Sequence, residues 1–256
     1  MISSDRFDVL FEKAKKFKHS SMNYTEYDEC KNAEILLDCD DLILLIDKSK
    51  THAMLYFATD DFEALIKIIA DIPGKLRLHF VPREYAGHLS ALGFIEWADL
   101  VDFWNADIAT TVSSFENEEE AEYLSIDECE EAEAVAKKCV LQSRGFEGVE
   151  DLEKYLDDGK IIVCREGAAI AGFCSIKIYN EGTTLQVRVV AVDPAYQGRG
   201  MGKKMIRQAL GYGVKNGAVK GFLLADRLNA NAIGLYNKYG FYAKDEDGEL
   251  VMVKEG

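Results

Sequence analysis

The chain has 256 residues, of which 48% are hydrophobic, enough to build one large domain or two smaller ones with real cores. Its formal net charge of −15 repels nucleic acid and anionic lipid, so we predict no nucleic-acid partner and give more weight to a cationic one. No apolar run approaches the ~18 residues of a membrane-spanning helix, and the opening residues MISSDR lack a signal-peptide core, so we expect a cytoplasmic protein without a membrane partner.

The six cysteines are scattered along the chain, without a C-x-x-C pair or a neighbouring histidine. This spacing favours reduced thiols over disulfides or metal ligands. His79 lies in a predicted strand and His88 in a predicted helix, so they do not share a helix face as metal ligands would. The sequence therefore predicts no metal site.

The first half alternates short apolar runs with one clear amphipathic segment. Strands are predicted at 41–46, 52–57, 76–80 and 95–104, and helices at 60–70 and 83–91. The order strand, helix, Leu-Gly-Phe94, strand echoes the order strand, helix, Tyr-Gly-Phe241, strand near the C-terminus. The echo suggests an internal repeat, although chance remains the alternative.

A polar, acidic segment from Thr110 to Glu120 interrupts the hydrophobic pattern. Such a composition is typical of a solvated connector. We therefore predict two domains, 1–115 and 121–256.

The second half predicts a mixed sheet with helices on its faces. The predicted order is a strand at 122–126, a helix capped by Asp127, a helix at 149–156, a hairpin of 161–164 with 169–179, a strand at 185–192, a helix at 202–216, a strand at 221–225, a helix through Tyr236, and a terminal hairpin turning at 245–248. In the helix at 202–216 the residues Met205, Ile206, Ala209 and Leu210 share one face, and Gly217 ends it.

Three alternating glycines, Gly198, Gly200 and Gly202, lie between the strand at 185–192 and the following helix. A turn of this kind leaves backbone amides unpaired, and glycine lets that backbone approach a phosphate while the helix dipole adds partial positive charge. The cations of this stretch are Arg199, Lys203, Lys204 and Arg207. We predict an anion-binding loop, with a ligand-free structural turn as the alternative.

Two well-known phosphate motifs do not fit this turn. A P-loop, G-x-x-x-x-G-K-S/T, is excluded because Lys203 is followed by Lys204, and the dinucleotide motif G-x-G-x-x-G is excluded because the glycines strictly alternate. The sequence therefore argues against a nucleoside triphosphate and against NAD.

The turn resembles the acyl-CoA loop of the GNAT superfamily of N-acyltransferases, with the motif Q/R-x-x-G-x-G/A. Here the motif is QGRGMG at 197–202, preceded by the family's V-x-P step, VDP, at 192–194. The stretch NANAIGLYNKYGF at 229–241 matches the family signature N-x-x-A-x-x-L-Y-x-K-x-G-F at every named position. The resemblance covers about residue 122 to the C-terminus. It implies an α/β, GNAT-like mixed and mostly antiparallel sheet flanked by helices, acetyl-CoA as cosubstrate and no metal.

By this resemblance, the pyrophosphate of acyl-CoA contacts the backbone amides of Gly198, Arg199, Gly200, Met201 and Gly202, with Lys203 as a cofactor-binding cation beside them. The side chains of Gln197 and Arg199 either contact phosphate or lie at the surface. Pantetheine hydrogen-bonds the main chain of Val190 and Val192. Asn229 either binds pantetheine or caps the next helix.

Tyr236 is the catalytic residue that the resemblance implies. A phenol at this position supplies a proton to the departing thiolate as general acid, and a packed core tyrosine is the alternative. The general base is not identified, because the strand at 185–192 contains Gln186 and Arg188 but no carboxylate. Three acidic residues stay open for that role: Glu147, Glu181 and Asp226.

These residues predict an N-acetyltransferase that transfers an acetyl group to a primary amine by direct attack, the amine being a small cationic molecule or a protein or peptide amine. A non-catalytic, acyl-CoA-responsive binding module is the alternative, favoured by the missing strand carboxylate. For the first half we predict a degenerate GNAT-like domain that binds no CoA. It lacks a glycine loop between Phe57 and Phe62, and Leu89 or Ser90 lies near the place of Tyr236.

Overall fold

The computed structural model describes residues 1–25, 27–115, 120–139, 149–179 and 181–256. Two compact units are present: the first comprises Met1–Asp99 with Gly248–Gly256, and the second comprises Leu100–Asp247. This division differs from the predicted boundary at 115–121. The reason is strand pairing, because residues 100–105 pair inside the second unit and residues 252–254 pair inside the first.

The helices and strands up to the end of the first unit are α1 (Ser4–Ala14), β1 (His19–Ser20), α2 (Tyr27–Cys30), β2 (Glu34–Cys39), β3 (Leu42–Asp47), β4 (Ala53–Thr59), α3 (Phe62–Ala70), β5 (Leu76–Leu78), α4 (Ala86–Ala91) and β6 (Phe94–Asn105), which continues into the second unit. The others are α5 (Ile108–Ser113), β7 (Glu122–Tyr123), α6 (Cys129–Lys137), α7 (Val149–Asp158), β8 (Lys160–Glu166), β9 (Ala169–Tyr179), β10 (Thr184–Val192), α8 (Met201–Lys215), β11 (Lys220–Asp226), α9 (Ala230–Lys238) and β12 (Tyr242–Lys254).

The first unit is a sheet in the order β2-β3-β4-β5-β12, in which only β4 and β5 are parallel. Strand β3 is buried along its whole length because apolar clusters lie on both faces of the sheet. Helix α3 packs on one face and α1 on the other. The sequence did not predict α1 or β2, whose patterns contain many exposed polar residues.

The second unit is a sheet in the order β6-β11-β10-β9-β8-β7, in which only β10 and β11 are parallel. Helices α8 and α9 pack on one face, and α6 and α7 cover part of the other. The predicted fold class, a mixed and mostly antiparallel sheet flanked by helices, is confirmed.

Helix α8 follows the predicted pattern closely. The side chains of Met205, Ile206, Ala209 and Leu210 are fully buried on one face. Gly217 has a φ of +90°, a left-handed conformation that ends the helix and that glycine adopts at little cost.

Three local predictions are wrong. The segment predicted as a connector begins inside α5, which Asp107 caps by accepting the Thr110 amide at 3.0 Å. Helix α6 is preceded by a 3₁₀ turn whose capping box uses Ser125 and Glu128 rather than Asp127. The turn predicted at 245–248 lies within a single strand, β12, whose end pairs with β5.

The cysteines Cys30, Cys39, Cys129, Cys139, Cys164 and Cys174 are all free thiols. Within the described residues no helix is long and apolar enough to cross a membrane.

Candidate active site

Strand β10 leaves one of its two neighbours part-way along its length. It pairs with β11 from Thr184 to Val187 but with β9 from Thr184 to Val192. Its register with β9 shifts between Val187 and Val189, the position of a β-bulge. Beyond Val187, no strand of the described chain pairs with the edge of β10 that faced β11.

The main-chain groups of Val190 and Val192 point toward this open edge. The amide of Asp193 donates to the carbonyl of Ala171 at 2.9 Å, so Val192 and its partner Gly172 form a non-hydrogen-bonded pair. Val190 lies two residues earlier on the same strand and has the same orientation. Both predicted main-chain binding residues therefore face the gap between the two strands.

The turn after β10 requires glycine at two positions. Gly198 and Gly200 have φ values of +77° and +85°, which residues with a side chain rarely adopt. No described atom lies within 4 Å of the point where a Cβ would be at either position. The backbone of the turn is therefore accessible to a ligand from that side.

Helix α8 begins at Met201 without a side-chain cap, since its N-cap residue is Gly200 itself. Its first backbone hydrogen bond runs from the amide of Lys204 to the carbonyl of Gly200 at 2.9 Å. The amides of Met201, Gly202 and Lys203 thus have no acceptor within the helix, and the first turn contains no acidic residue. These amides and the helix dipole fit an anionic group such as a pyrophosphate.

Two residues that directly follow helix α6, Lys138 and Cys139, contact the beginning of this turn. Asp193 accepts the Ala195 amide at 3.0 Å and the ammonium group of Lys138 at 2.6 Å. The thiol of Cys139 lies 3.2 Å from the carbonyl of Val192. The sequence did not indicate these contacts, because Lys138 and Asp193 are far apart in the chain.

The side chains of Gln197 and Arg199 are both engaged within the turn or beside it. The Gln197 amide donates to the Val192 carbonyl at 2.9 Å. The guanidinium of Arg199 lies 3.4 Å from Glu166 and 5.1 Å from the centre of the Tyr196 ring. The main-chain amides are therefore the groups of this loop that remain turned outward.

The predicted set of cations around the loop is only partly correct. Lys203 is exposed in the first turn of α8. Arg207 lies instead with its guanidinium 4.6 Å from the centre of the Phe115 ring. It lies nearly two turns along α8 from Met201.

Asn229 is the N-cap of α9. Its side-chain oxygen accepts the amide of Ala232 at 3.1 Å, and the residue is buried. Asn229 therefore caps α9 in this structure, and its contact with pantetheine stays a prediction.

Tyr236 is on α9, with only 7% of its surface exposed. Its ring lies 6.5 Å from that of Phe103 and 6.4 Å from that of Phe241. Burial, together with the neighbouring thiol of Cys174, raises the pKa of Tyr236, so the phenol keeps its proton at neutral pH. Cys174 pairs with Val190, so the phenol is close to the part of the sheet where β10 has left β11.

The three candidates for the general base differ in their distance along the chain from the gap beside β10. Glu181 is exposed in the turn before β10, at the opposite end of the strand from the glycine turn. Asp226 is buried at the end of β11 and accepts the Leu228 amide at 2.8 Å. Glu147 lies outside the described residues. Asp226 is therefore the candidate on the diverging part of β11.

Sequence reasoning missed a further carboxylate, Asp102 on β6, which is half-buried opposite Leu224 of β11. The signal was present, because the alternation in Val-Asp-Phe-Trp places Asp102 and Trp104 on one face of a strand. The sequence could not assign β6 to this sheet. Among the described residues, no group of three or more His, Cys, Asp or Glu side chains is arranged to bind a metal ion.

The thiols near the site are not poised as nucleophiles. Burial raises the pKa of both Cys139 and Cys174, which keeps them protonated.

Residues 117–241 match the family model described as Acetyltransferase (GNAT) family. A mycothiol acetyltransferase from Catenulispora acidiphila is 30% identical over 100 residues, which are 37% of this chain and 32% of that protein. The N-alpha-acetyltransferase RimI of Mycobacterium tuberculosis is 33% identical over 79 residues, which are 30% of this chain and 48% of that protein. The chain thus spans between about a third and a half of the length of these relatives.

Solved structures agree on the fold. A GCN5-related N-acetyltransferase-like protein from Streptococcus suis superposes with a TM-score of 0.54 at 14% identity, over 98% of this chain and 97% of that one. A tandem GNAT protein from the clavulanic acid biosynthesis pathway superposes with a TM-score of 0.55 at 12% identity, over 84% of this chain and 78% of that one.

The strand divergence, the glycine turn and the second motif therefore belong to an acetyltransferase fold. Residues 117–241 of this chain are a domain of the GNAT acetyltransferase family, and the predicted resemblance is confirmed.

Proposed function

We propose that this protein is an N-acetyltransferase that transfers the acetyl group of acetyl-CoA to a primary amine. One observation supports this most strongly: β10 leaves β11 at Val187, and the resulting gap leads directly to an uncapped helix N-terminus. The gap offers strand main chain to an extended amide-containing chain, and the helix end offers amides to a pyrophosphate. An extended amide chain and a pyrophosphate occur next to each other in CoA.

The residues of the loop fit such a ligand. The amides of Gly198 to Lys203 are the groups for the pyrophosphate, with Lys203 as the exposed cation beside them. The main chain of Val190 and Val192 is the partner for pantetheine. Since the carbonyl of Val192 already accepts from Gln197, the amide of Val192 and the main chain of Val190 are the groups left for that role.

The chemistry needs little from the protein beyond positioning and one proton. Acetyl-CoA supplies an acyl group activated as a thioester, which a neutral amine attacks directly. As the new C–N bond forms and the C–S bond breaks, the phenol of Tyr236, which holds a proton at neutral pH, donates it to the departing sulfur. The proton that the attacking nitrogen loses passes to water and restores the phenol. Neither Cys139 nor Cys174 takes part as a thiolate, since burial raises the pKa of both thiols.

The acceptor is a small cationic amine or the amine of a protein or peptide. The net charge of −15 favours a cationic acceptor through long-range attraction. The names of the relatives, a mycothiol acetyltransferase and an N-alpha-acetyltransferase, do not select between these two classes.

We expect the purified protein to release free CoA thiol from acetyl-CoA when a primary amine is present. The measurement is a thiol-reactive assay with spermidine, tyramine and a short peptide with a free N-terminus, each against an amine-free control. Saturable acetyl-CoA binding without thiol release for any of these amines would contradict the enzyme and support the non-catalytic binding module.

We also infer that the first unit is a degenerate GNAT-like domain without an acyl-CoA site. Strand β4 pairs with β5 only from Ala53 to Leu55, just as β10 pairs with β11 over only part of its length. The other edge of β4 pairs with β3 from Met54 to Thr59. The edge beyond Leu55 is filled by the chain itself, because β1 pairs there, His19 with Thr59 and Ser20 with Ala58. Among the residues that the structure describes, the first unit therefore has no open edge at the place where the second unit has one.

The helix that follows β4 is also unsuited to a phosphate. The carboxylate of Asp61 caps α3 by accepting the amide of Ala64 at 3.0 Å. A negative charge at this helix end repels an anion and already satisfies one of its amides.

We expect acetyl-CoA to bind at one site per chain. Isothermal titration of the full chain measures the stoichiometry directly. An Asp61→Asn variant serves as a control in the first unit and leaves both the stoichiometry and the affinity unchanged. Two equivalents of acetyl-CoA per chain would show that the first unit binds as well.

A further inference from the structure

The C-terminal end of helix α9, which carries Tyr236, is closed by a Schellman motif. The amide of Phe241 donates to the carbonyl of Tyr236 at 3.1 Å, and the amide of Gly240 donates to the carbonyl of Asn237 at 3.2 Å. Gly240 has a φ of +74°, the left-handed conformation that this motif requires. The motif uses the carbonyls of Tyr236 and Asn237 but does not include that of Tyr239, the C-cap residue.

The carbonyl of Tyr239 accepts a hydrogen bond from Asn105, the last residue of β6. The side-chain nitrogen Nδ2 of Asn105 lies 2.8 Å from the Tyr239 carbonyl oxygen and 2.8 Å from the hydroxyl of Thr111 on α5. Its side-chain oxygen Oδ1 accepts the amide of Asp107 at 2.9 Å. One side chain thus connects β6, α5 and the end of α9.

The orientation of the Asn105 amide is determined by its partners. A backbone N–H only donates and a backbone carbonyl only accepts, so Oδ1 must face Asp107 and Nδ2 must face Tyr239. Asn105 is buried, with 3% of its surface exposed. Loss of one of these contacts would leave a desolvated polar group, so burial strongly favours the observed arrangement.

The end of α9 packs directly against Asn105. A Cβ at position 240 would lie 2.9 Å from Nδ2 of Asn105 and 3.0 Å from the hydroxyl oxygen of Thr111. Glycine at position 240 therefore permits both the positive φ and the close approach of the Asn105 side chain.

Strand β6 contacts α9 at a second point. Phe103 lies two residues before Asn105 on the same face of the strand, and both are buried. The centre of the Phe103 ring is 6.5 Å from that of the Tyr236 ring. The two side chains of β6 therefore contact both ends of the last turn of α9, one at the ring of Tyr236 and the other at the carbonyl of Tyr239.

The position of this last turn determines where the phenol of Tyr236 lies. A general acid must be within hydrogen-bond distance of the atom that it protonates. A displacement of about 1 Å at such a group lowers a rate by up to roughly 10²-fold. Since Tyr236 and Tyr239 are about one helical turn apart, a contact that fixes the Tyr239 carbonyl also restrains the phenol.

We propose that Asn105 is a positioning residue of the acetyltransferase, which holds the last turn of α9 so that the phenol of Tyr236 reaches the departing sulfur. This inference rests on the proposed function and on the role of Tyr236 as general acid. Asn105 lies outside residues 117–241, the range that the family model matches. A strand from the first half of the chain therefore helps to place the catalytic residue.

We expect Asn105→Ser to lower kcat about tenfold, because the last turn of α9 loses its contact with β6. Serine still accepts the Asp107 amide, as in an ST-turn, but is too short to reach the Tyr239 carbonyl. The dissociation constant for acetyl-CoA stays at the wild-type value, since the glycine turn is untouched. The measurement combines a titration of acetyl-CoA with steady-state kinetics, using whichever of spermidine, tyramine or the peptide the wild type acetylates best.

Asn105→Asp is the second variant, and the same fall in kcat is expected. It keeps the shape of the side chain and the contact with the Asp107 amide, but a carboxylate has no hydrogen to donate to the Tyr239 carbonyl. The kinetics of each variant are measured below its own melting temperature, so that a loss of stability does not count as a loss of kcat.

A double-mutant cycle with Tyr236→Phe separates positioning from a general structural role. If Asn105 acts through the phenol, adding Asn105→Ser to Tyr236→Phe lowers kcat no further. An additional fall of about tenfold in that background would show that Asn105 acts independently of Tyr236, and would overturn the inference.

The matched control is Asn216→Ser. The side-chain amide of Asn216 donates to the carbonyl of Tyr212 at 2.8 Å at the end of α8, so this variant loses the same kind of contact on another helix and keeps the wild-type kcat. Wild-type kcat in both Asn105 variants, while Tyr236→Phe is impaired, would overturn the inference but not the proposed function. A wild type that acetylates none of the amines would overturn both.

Discussion

A Gly200→Glu substitution is expected to abolish measurable acetyl-CoA binding, weakening it at least about 100-fold. The side chain would enter the open space beside the turn, where no described atom lies within 4 Å, and would place a carboxylate against the uncapped end of α8. Several amide–phosphate hydrogen bonds contribute roughly 1–3 kcal/mol each, so the loss of two of them already gives such a factor. The measurement is isothermal titration with acetyl-CoA.

The Gly200→Glu result needs a control for backbone strain, because any side chain at a φ of +85° costs about 1–2 kcal/mol. Gly182 has a φ of +87°, also faces open space, and lies in the turn at the far end of β10. Gly182→Glu therefore carries the same strain and the same charge, and should bind acetyl-CoA like the wild type. Equal binding by both variants would mean that the glycine turn does not hold the pyrophosphate.

Tyr236→Phe is expected to lower kcat about 100-fold while leaving acetyl-CoA binding intact. The substitution removes one hydroxyl and keeps the ring between Phe103 and Phe241, so the core is preserved. General acid catalysis by a positioned side chain contributes roughly 10² to 10⁴ in rate, and a thiolate is a good enough leaving group to place the effect at the lower end. The measurement combines steady-state kinetics with a titration of acetyl-CoA.

The matched control for Tyr236→Phe is Tyr239→Phe. Tyr239 is equally buried at the end of the same helix, and its ring packs against Phe115 instead. Its variant should retain the wild-type kcat. Full activity in Tyr236→Phe, with acetyl-CoA binding unchanged, would rule out the phenol as the general acid.

The raised pKa of Tyr236 also limits how kcat can depend on pH. Burial raises the pKa of Tyr236, and a phenol acts as a proton donor only below its pKa. Loss of the Tyr236 proton therefore cannot produce a fall in kcat between pH 7 and pH 9. Any fall there that survives in both variants belongs to another group.

The local chemistry of the glycine turn was predictable because it depends on few residues. Gly198 and Gly200 need a positive φ, and Met205 to Leu210 share a face through helical periodicity alone. Asn229 could equally cap a helix or bind a ligand, and capping is the geometry observed.

Elements that depend on distant pairing were predicted less well. Residues 245–248 have the composition of a turn, yet the chain continues as one strand because Met252 to Lys254 pair with β5. Residues 110–113 are polar, yet they form part of α5, where Ile108 is buried in the core of the second unit. In both cases strand pairing or burial against residues far away in the chain determined the local structure, and the local composition did not.

The sequence by itself determined that the chain from about residue 122 onward resembles the GNAT family, since two motifs and the helix and strand between them are encoded within short windows. The family model, which matches residues 117–241, confirms that resemblance. Only the tertiary structure decided that β10 diverges from β11 at Val187, that β1 fills the equivalent edge of β4, and that Asp102 of β6 lies beside the gap. The physical reason is that strand register is set by side chains meeting across the sheet, and these come from segments that the sequence keeps far apart.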